Sequence, residues 1–215
     1  MTTVYLVRHS EPFRDLEGET KSRDSLLLIN EKYILGVRGE KLAEKVANNP
    51  EFDNIDVVWA SNYVRAMSTA KYFAYRNNTR VNIDERFKER EQGVLTWDEL
   101  PKDYYINQFK DENYKFRDGE CQKEVAQRMR EALFDVVKNN NGKRIVIVSH
   151  NTALTFLLKT LCDVSLDESI KALRFSFNNE LVYIGSLNYC ETFKLEFDDS
   201  LNLCSLSHIN TNEWV

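Results

Sequence analysis

Arg144-Ile145-Val146-Ile147-Val148-Ser149 is apolar at every central position. A run this short and this uniform fits a strand covered on both faces, as in a parallel sheet flanked by helices. Thr3 to Val7 and Ile55 to Ala60 are further short apolar runs, and segments of helical period lie between them. From Gly39 to Asn48, Leu42, Ala43, Val46 and Ala47 form one apolar face, and Asn48-Asn49-Pro50 stops the helix. Ser61 or Asn62 is expected to cap a helix running to about Tyr75. Glu120 to Asn139 carries Val125, Met129, Ala132, Leu133, Val136 and Val137 on one side, and a last helix spans Ala153 to Leu161. Leu181 to Ser186, Thr192 to Phe197 and Leu201 to Ser207 read as strands suited to a sheet edge. The alternation predicts an α/β fold with a mostly parallel sheet. The stretch from about 84 to 117 has no clean period and is rich in charge and aromatics. It is expected to be a partly helical insertion over the sheet edge.

At 215 residues the chain is long enough to bury a full core, and one domain over 1–215 with an insertion at roughly 85–118 is expected. The net charge of −5 is spread along the chain without a Lys/Arg stripe, which argues against a nucleic-acid partner. No apolar run approaches the roughly 20 residues of a membrane span. The start of the chain shows no basic leader. Cys121, Cys162, Cys190 and Cys204 are widely spaced, as reduced thiols of a cytoplasmic protein are.

Of the three histidines, two follow strand runs directly, in Val7-Arg8-His9 and Val148-Ser149-His150. Ligands of open α/β sheets bind outside the carboxyl ends of strands. The strand ending Trp59-Ala60-Ser61 adds Arg65 from the first turn of the helix after it. Arg8, His9, Ser61, Arg65 and His150 are thus directed toward one rim, and two arginines with two histidines describe a pocket for a compact anion. A lone histidine is more often structural, but structural histidines have no reason to share equivalent strand ends. His208 has no such company and reads as structural.

Leu6-Val7-Arg8-His9 with Ser10-Glu11 resembles the Arg-His-Gly signature of the histidine phosphatase (phosphoglycerate mutase-like) superfamily. Ser61-Asn62-Tyr63-Val64-Arg65-Ala66-Met67-Ser68-Thr69-Ala70 is similar to its Ser-x-x-x-Arg-Ala-x-x-Thr-Ala block. Phe87-Lys88-Glu89 with Gly93 resembles the acid-bearing Leu-x-Glu segment, Asp118-Gly119-Glu120-Cys121 a Gly-Gly-Glu-Ser turn, and Val146 to His150 the late strand with the second histidine. Asn178-Asn179 extends the match weakly. The compact spacing from Glu89 to Gly119 resembles the broad-specificity phosphatase branch.

The resemblance implies a three-layer α/β sandwich, with helices on both faces of the sheet and the insertion over the active-site rim. It implies His9 as nucleophile through a phosphohistidine, Glu89 as general acid with Glu91 as fallback, and a phosphate held by Arg8, Arg65 and His150, the last as a cation. Ser61 and the backbone N–H of Asn151 at a helix start are further phosphate contacts. At about 4 Å and an effective dielectric of about 20, each charge contact amounts to roughly 4 kcal/mol before desolvation. No cofactor and no metal are expected, and the partner is a small phosphorylated substrate rather than nucleic acid or membrane. Ser10 in place of Gly, Pro12 and Asp15 in place of Thr and Asn, and Cys121 in place of Ser depart from the family pattern. Trp97, Tyr104, Tyr105 and Phe109 are candidates for an apolar entrance. Alternatives are a mutase that returns the group to a sugar acid, a phosphate-binding regulatory module without catalysis, and a metal-dependent hydrolase.

Overall fold

The computed structural model describes residues 1–14, 25–167, 169–170 and 172–211. Its main sheet has the order β3-β2-β4-β1-β8-β9, built from β1 (Thr2–Arg8), β2 (Val57–Ala60), β3 (Val81–Ile83), β4 (Arg144–Ser149), β8 (Thr192–Phe197) and β9 (Leu203–Ile209). The pairs β2–β3, β2–β4 and β1–β4 are parallel, whereas β1–β8 and β8–β9 are antiparallel. The apolar runs of β1 and β4 divide between two cores, as strands covered on both faces do. Val4, Leu6, Ile145 and Ile147 pack against α5 (Gln122–Asn139) and α6 (Asn151–Leu158). Tyr5, Val7, Val146 and Val148 pack against α2 (Val37–Ala47) and α3 (Val64–Arg76). The fold is the expected α/β sandwich.

Several elements differ from their sequence-based expectation. Leu181 to Ser186 does not join the main sheet: β7 (Glu180–Gly185) pairs with β6 (Ala172–Phe177), and β6 with β5 (Asp163–Asp167), in a separate antiparallel sheet of three strands. Only β7 was read as a strand; β5 (DVSLD) and β6 (ALRFSF) interleave polar residues and bury only Phe175 fully, which leaves no continuous apolar run in either. Asn178 and Asn179, at φ 51° and 66°, form the turn between β6 and β7, the conformation that a tight hairpin requires. Helix α1 (Leu26–Lys32) and strand β3 lacked a readable signal. Tyr63 is the first-turn boundary of α3, and the Ser61 hydroxyl accepts its N–H at 3.1 Å instead of capping deeper into the helix.

The stretch between β3 and α5 is partly helical, with α4 (Tyr104–Lys110) in its middle. Its two ends cross closely: a Cβ on Gly93 would lie 2.3 Å from Gly119 N, and one on Gly119 would lie 2.6 Å from Gln92 C. Glycine is required on both sides of that crossing, and Gly93 also sits at φ +74°. Cys121 is buried and begins α5, its N–H held by the Glu124 carboxylate at 2.9 Å. All four cysteines are free thiols. Among the described residues no helix is long and apolar enough to cross a membrane.

Candidate active site

The register of β1 against β4 pairs Val7 with Val148 and Arg8 with Ser149. The next residue of each strand is a histidine, so the two imidazoles emerge side by side, with ring centroids 5.1 Å apart. The His9 N–H continues the ladder to Ser149 O at 2.9 Å, and β2 ends level with them through Ser61 N to Val148 O at 3.0 Å. Helix α3 then carries Arg65 back over His9. Two short parallel pairings therefore fix the spacing of the whole cluster.

His9 is 5% exposed, and its partners specify its tautomer. Ser10 O can only accept, so Nδ1 donates to it at 2.7 Å; Arg65 Nε can only donate, so Nε2 accepts at 3.0 Å. The neutral ring thus holds its lone pair on Nε2, facing a guanidinium. Burial first, and then the neighbouring Arg65 and Arg8, push the His9 pKa well below the ordinary histidine value. Arg65 is buried too, with Nη1 on Asn30 O, and desolvation lowers it to about 10, which leaves it a cation at neutral pH.

His150 is fully buried, with Nε2 2.8 Å from the Ser61 hydroxyl and Nδ1 without a partner among the described residues. Its pKa is likewise held well below the usual value, by burial and then by Arg65. The sequence reading made this residue cationic. The opposite direction holds, because the ring has lost water and faces positive charge. Ser61, expected as a phosphate contact, is fully buried and engaged by His150 and Tyr63, and neither it nor His150 is among the residues that line the cavity over His9.

A cavity of about 210 Å³ opens over His9, walled among others by Arg8, Arg65, Glu89, Arg90, Asn151 and Tyr189. A larger groove of about 620 Å³ lies between α4, α5 and α6 and contains neither His9 nor His150. Arg8 donates through Nη1 to Leu187 O and stacks on Tyr189, 4.4 Å from the ring centroid. Glu89 sits at the start of α6, where Oε1 accepts Ala153 N at 3.0 Å and Arg90 N at 2.8 Å, and Oε2 accepts Thr152 N at 3.2 Å. A carboxylate is favoured there by the helix dipole. Glu91, the fallback, instead pairs with Lys88. The segment bearing Glu89 is fastened by Arg128, which binds Arg86 O at 2.8 Å, Lys88 O at 2.9 Å and Glu89 O at 3.3 Å while gripping Glu120.

The departures from the family pattern have separate outcomes. Ser10 does not adopt positive φ; its hydroxyl donates to Gly39 O at 2.7 Å and its N–H to Thr69 Oγ1 at 2.9 Å, so it ties the loop after β1 to α2 and α3. Pro12 lines the cavity. Asp15 lies outside the described residues. Of the aromatic candidates, Trp97 and Tyr105 line the cavity, Tyr104 is packed inside, and Phe109 faces the other groove.

Sequence reasoning missed Arg90 and Tyr189. Arg90 is 1% exposed, stands 4.8 Å and 5.4 Å from the Tyr104 and Tyr105 ring centroids, and has Nε and Nη1 unpartnered among the described residues. It was hidden in a charged run, and Tyr189 in a loop without periodicity. Among the described residues no three His, Cys, Asp or Glu side chains come together as a metal site.

The model of the histidine phosphatase superfamily (branch 1) matches residues 4–188. The chain belongs to that superfamily. Within it, the chain is 29% identical over 178 residues to the protein named Probable phosphoglycerate mutase GpmB of Enterobacter sp. (strain 638), covering 75% of each. It is 31% identical over 172 residues to the GpmB of Erwinia tasmaniensis, again 75% of each. Among solved structures, a mycobacterial glucosyl-3-phosphoglycerate phosphatase with inorganic phosphate superposes with a TM-score of 0.69 at 16% identity, covering 96% of this chain and 95% of that one. A phosphoserine phosphatase mutant from Entamoeba histolytica in complex with phosphoserine gives 0.68 at 20% identity and full coverage of both chains. At such identities these structures speak for the fold alone. The histidine phosphatase superfamily is one of phosphatases and mutases, and phosphoryl transfer is the chemistry they share.

Proposed function

We propose that this protein hydrolyses small phosphomonoesters through a phosphohistidine formed on His9. The observation that carries the reading is His9 in the cavity wall, with Nδ1 donating to Ser10 O, Nε2 facing Arg65, and Arg8 on the same wall. Nε2 attacks phosphorus, and the bond to the leaving alcohol oxygen breaks. Arg8 and Arg65 balance the charge on the transferring group, and His150 meets another oxygen through Nδ1. Glu89 passes a proton that arrives with the phosphomonoester monoanion to the alcohol through Oε2, the oxygen with a single N–H contact. The same carboxylate then takes a proton from the water that cleaves the phosphorus–nitrogen bond. At the start of α6 the Thr152 and Ala153 N–H groups are taken by Glu89, and the Asn151 N–H before them favours an anion at the same mouth. Among the described residues the cavity is lined by four arginines (Arg8, Arg14, Arg65 and Arg90) and one carboxylate, Glu89, which supports a substrate with a second anionic group.

Quenching the enzyme in alkali after mixing with p-nitrophenyl phosphate should trap an acid-labile phosphoryl adduct on His9. His9→Ala should abolish both adduct and turnover, and Glu89→Gln should slow turnover by roughly 100- to 10,000-fold while leaving adduct detectable. Near-full activity in His9→Ala would overturn the reading. The GpmB relatives favour a second one, transfer back to a phosphoglycerate. It is supported if 3-phosphoglycerate, with 2,3-bisphosphoglycerate supplied, isomerises faster than phosphate appears.

A further inference from the structure

Glu191 is fully buried, at the head of β8, and both its carboxylate oxygens are occupied. Oε1 lies 2.6 Å from His208 Nε2 on β9, and Oε2 accepts the N–H and the Nδ2–H of Asn188, each at 3.2 Å. The Tyr183 hydroxyl on β7 stands 3.1 Å from the same oxygen. Glu191 N in turn donates to Asn188 O at 3.1 Å, which closes the turn on itself. One carboxylate thereby joins the edge of the main sheet, the small sheet and the turn 187–190.

That turn wraps Arg8. Leu187 O accepts Arg8 Nη1, Tyr189 covers the guanidinium face at 4.4 Å, Cys190 N donates to Arg8 O at 3.1 Å, and Glu191 O accepts Arg8 N at 3.0 Å. Cys190 holds φ +60° to make the bend, an arrangement that persists only where its surroundings enforce it. A guanidinium grips two oxygens only when its plane is fixed, and here the turn fixes it.

We infer that Glu191 is a positioning residue for Arg8, acting through the turn 187–190, with His208 as the hydrogen-bond partner that anchors it. His208 is then part of the support of the site. The inference rests on Arg8 being a phosphate ligand.

The test is inorganic phosphate titrated calorimetrically into wild type, Arg8→Ala, Glu191→Ala and the double variant. Glu191→Ala should weaken phosphate binding at least about tenfold in the wild-type background and less than about twofold where Arg8 is already absent. Equal losses in both backgrounds, or none in the first, would overturn the positioning role. Should Glu191→Ala fail to fold, Glu191→Gln and the exposed Asn188→Ala replace it; each should cost about threefold, again only while Arg8 is present. An Arg8→Ala enzyme with wild-type phosphate affinity removes the phosphate-ligand reading of Arg8 and this inference together, whereas additive losses remove the inference alone.

Discussion

A nucleophilic imidazole needs its proton on the other ring nitrogen, and at His9 two one-way partners place it there: a carbonyl that cannot donate on Nδ1, and on Nε2 a guanidinium that cannot accept and whose contact the phosphoryl group must displace. Burial, and after it the crowding of positive charge, holds both His9 and His150 neutral until an anion arrives. A bound phosphate dianion adds negative charge next to both rings, which raises their proton affinity. Phosphate binding near neutral pH is therefore expected to take up protons, read as a dependence of calorimetric binding heat on buffer ionisation enthalpy. His150→Gln should reduce the uptake; proton release would contradict the electrostatics described. Arg8, His9, Arg65 and His150 were legible in the sequence because strand ends and a helix start announce where such residues go. Arg90 was not, because burial of an arginine between two tyrosines is a tertiary event that leaves no local pattern. Nor was the neutrality of His150, which depends on distances between strands.

The elements were legible in proportion to how completely they are buried. Strand β4 was read with its observed limits, and α2, α3 and α5 within a few residues, because each presents one uninterrupted apolar face. Of the small sheet only β7 was read, and at the edge of the wrong sheet, because its strands are half-exposed and take their order from a hairpin turn and from packing on the larger core. Close approach of elements was equally invisible. Helix α2 passes so near the loop after β1 that a Cβ on Gly39 would lie 1.9 Å from Glu11 O. The backbone of that loop cannot yield without moving Ser10, whose carbonyl holds His9. Gly39→Ala is thus expected to cost at least about 2 kcal/mol in urea unfolding and to lower turnover as well. Wild-type stability in that variant would mean the loop is softer than its hydrogen bonds indicate.

For the molecule as a whole, two buried neutral histidines set a pH dependence of stability. In the unfolded chain each takes up a proton near its ordinary value of about 6.5, whereas in the folded chain both pKa values lie well below it. Unfolding therefore binds protons as pH falls below about 6.5, and stability declines by up to about 1.4 kcal/mol per pH unit for each histidine until the folded values are reached. Above that window the two groups contribute no slope. The melting temperature without phosphate should fall between about pH 7 and pH 5, and fall less in His150→Gln. A flat profile would show that the rings stay hydrated. Added phosphate should offset the fall, since it binds the folded state alone.

The glycine crossing at 93 and 119 has its own implication for how such a scaffold diversifies. Because the chain enters and leaves at a neck with no room for a side chain, the 25 residues between the two glycines hang from the domain like a purse drawn shut. Inside the neck the segment is moored by Leu95 O to Leu26 N, Gln108 to Glu120 O and Glu112 O to Lys123 N, so an exchange of its content reaches the cavity through Trp97 and Tyr105 while the strands beneath keep their places.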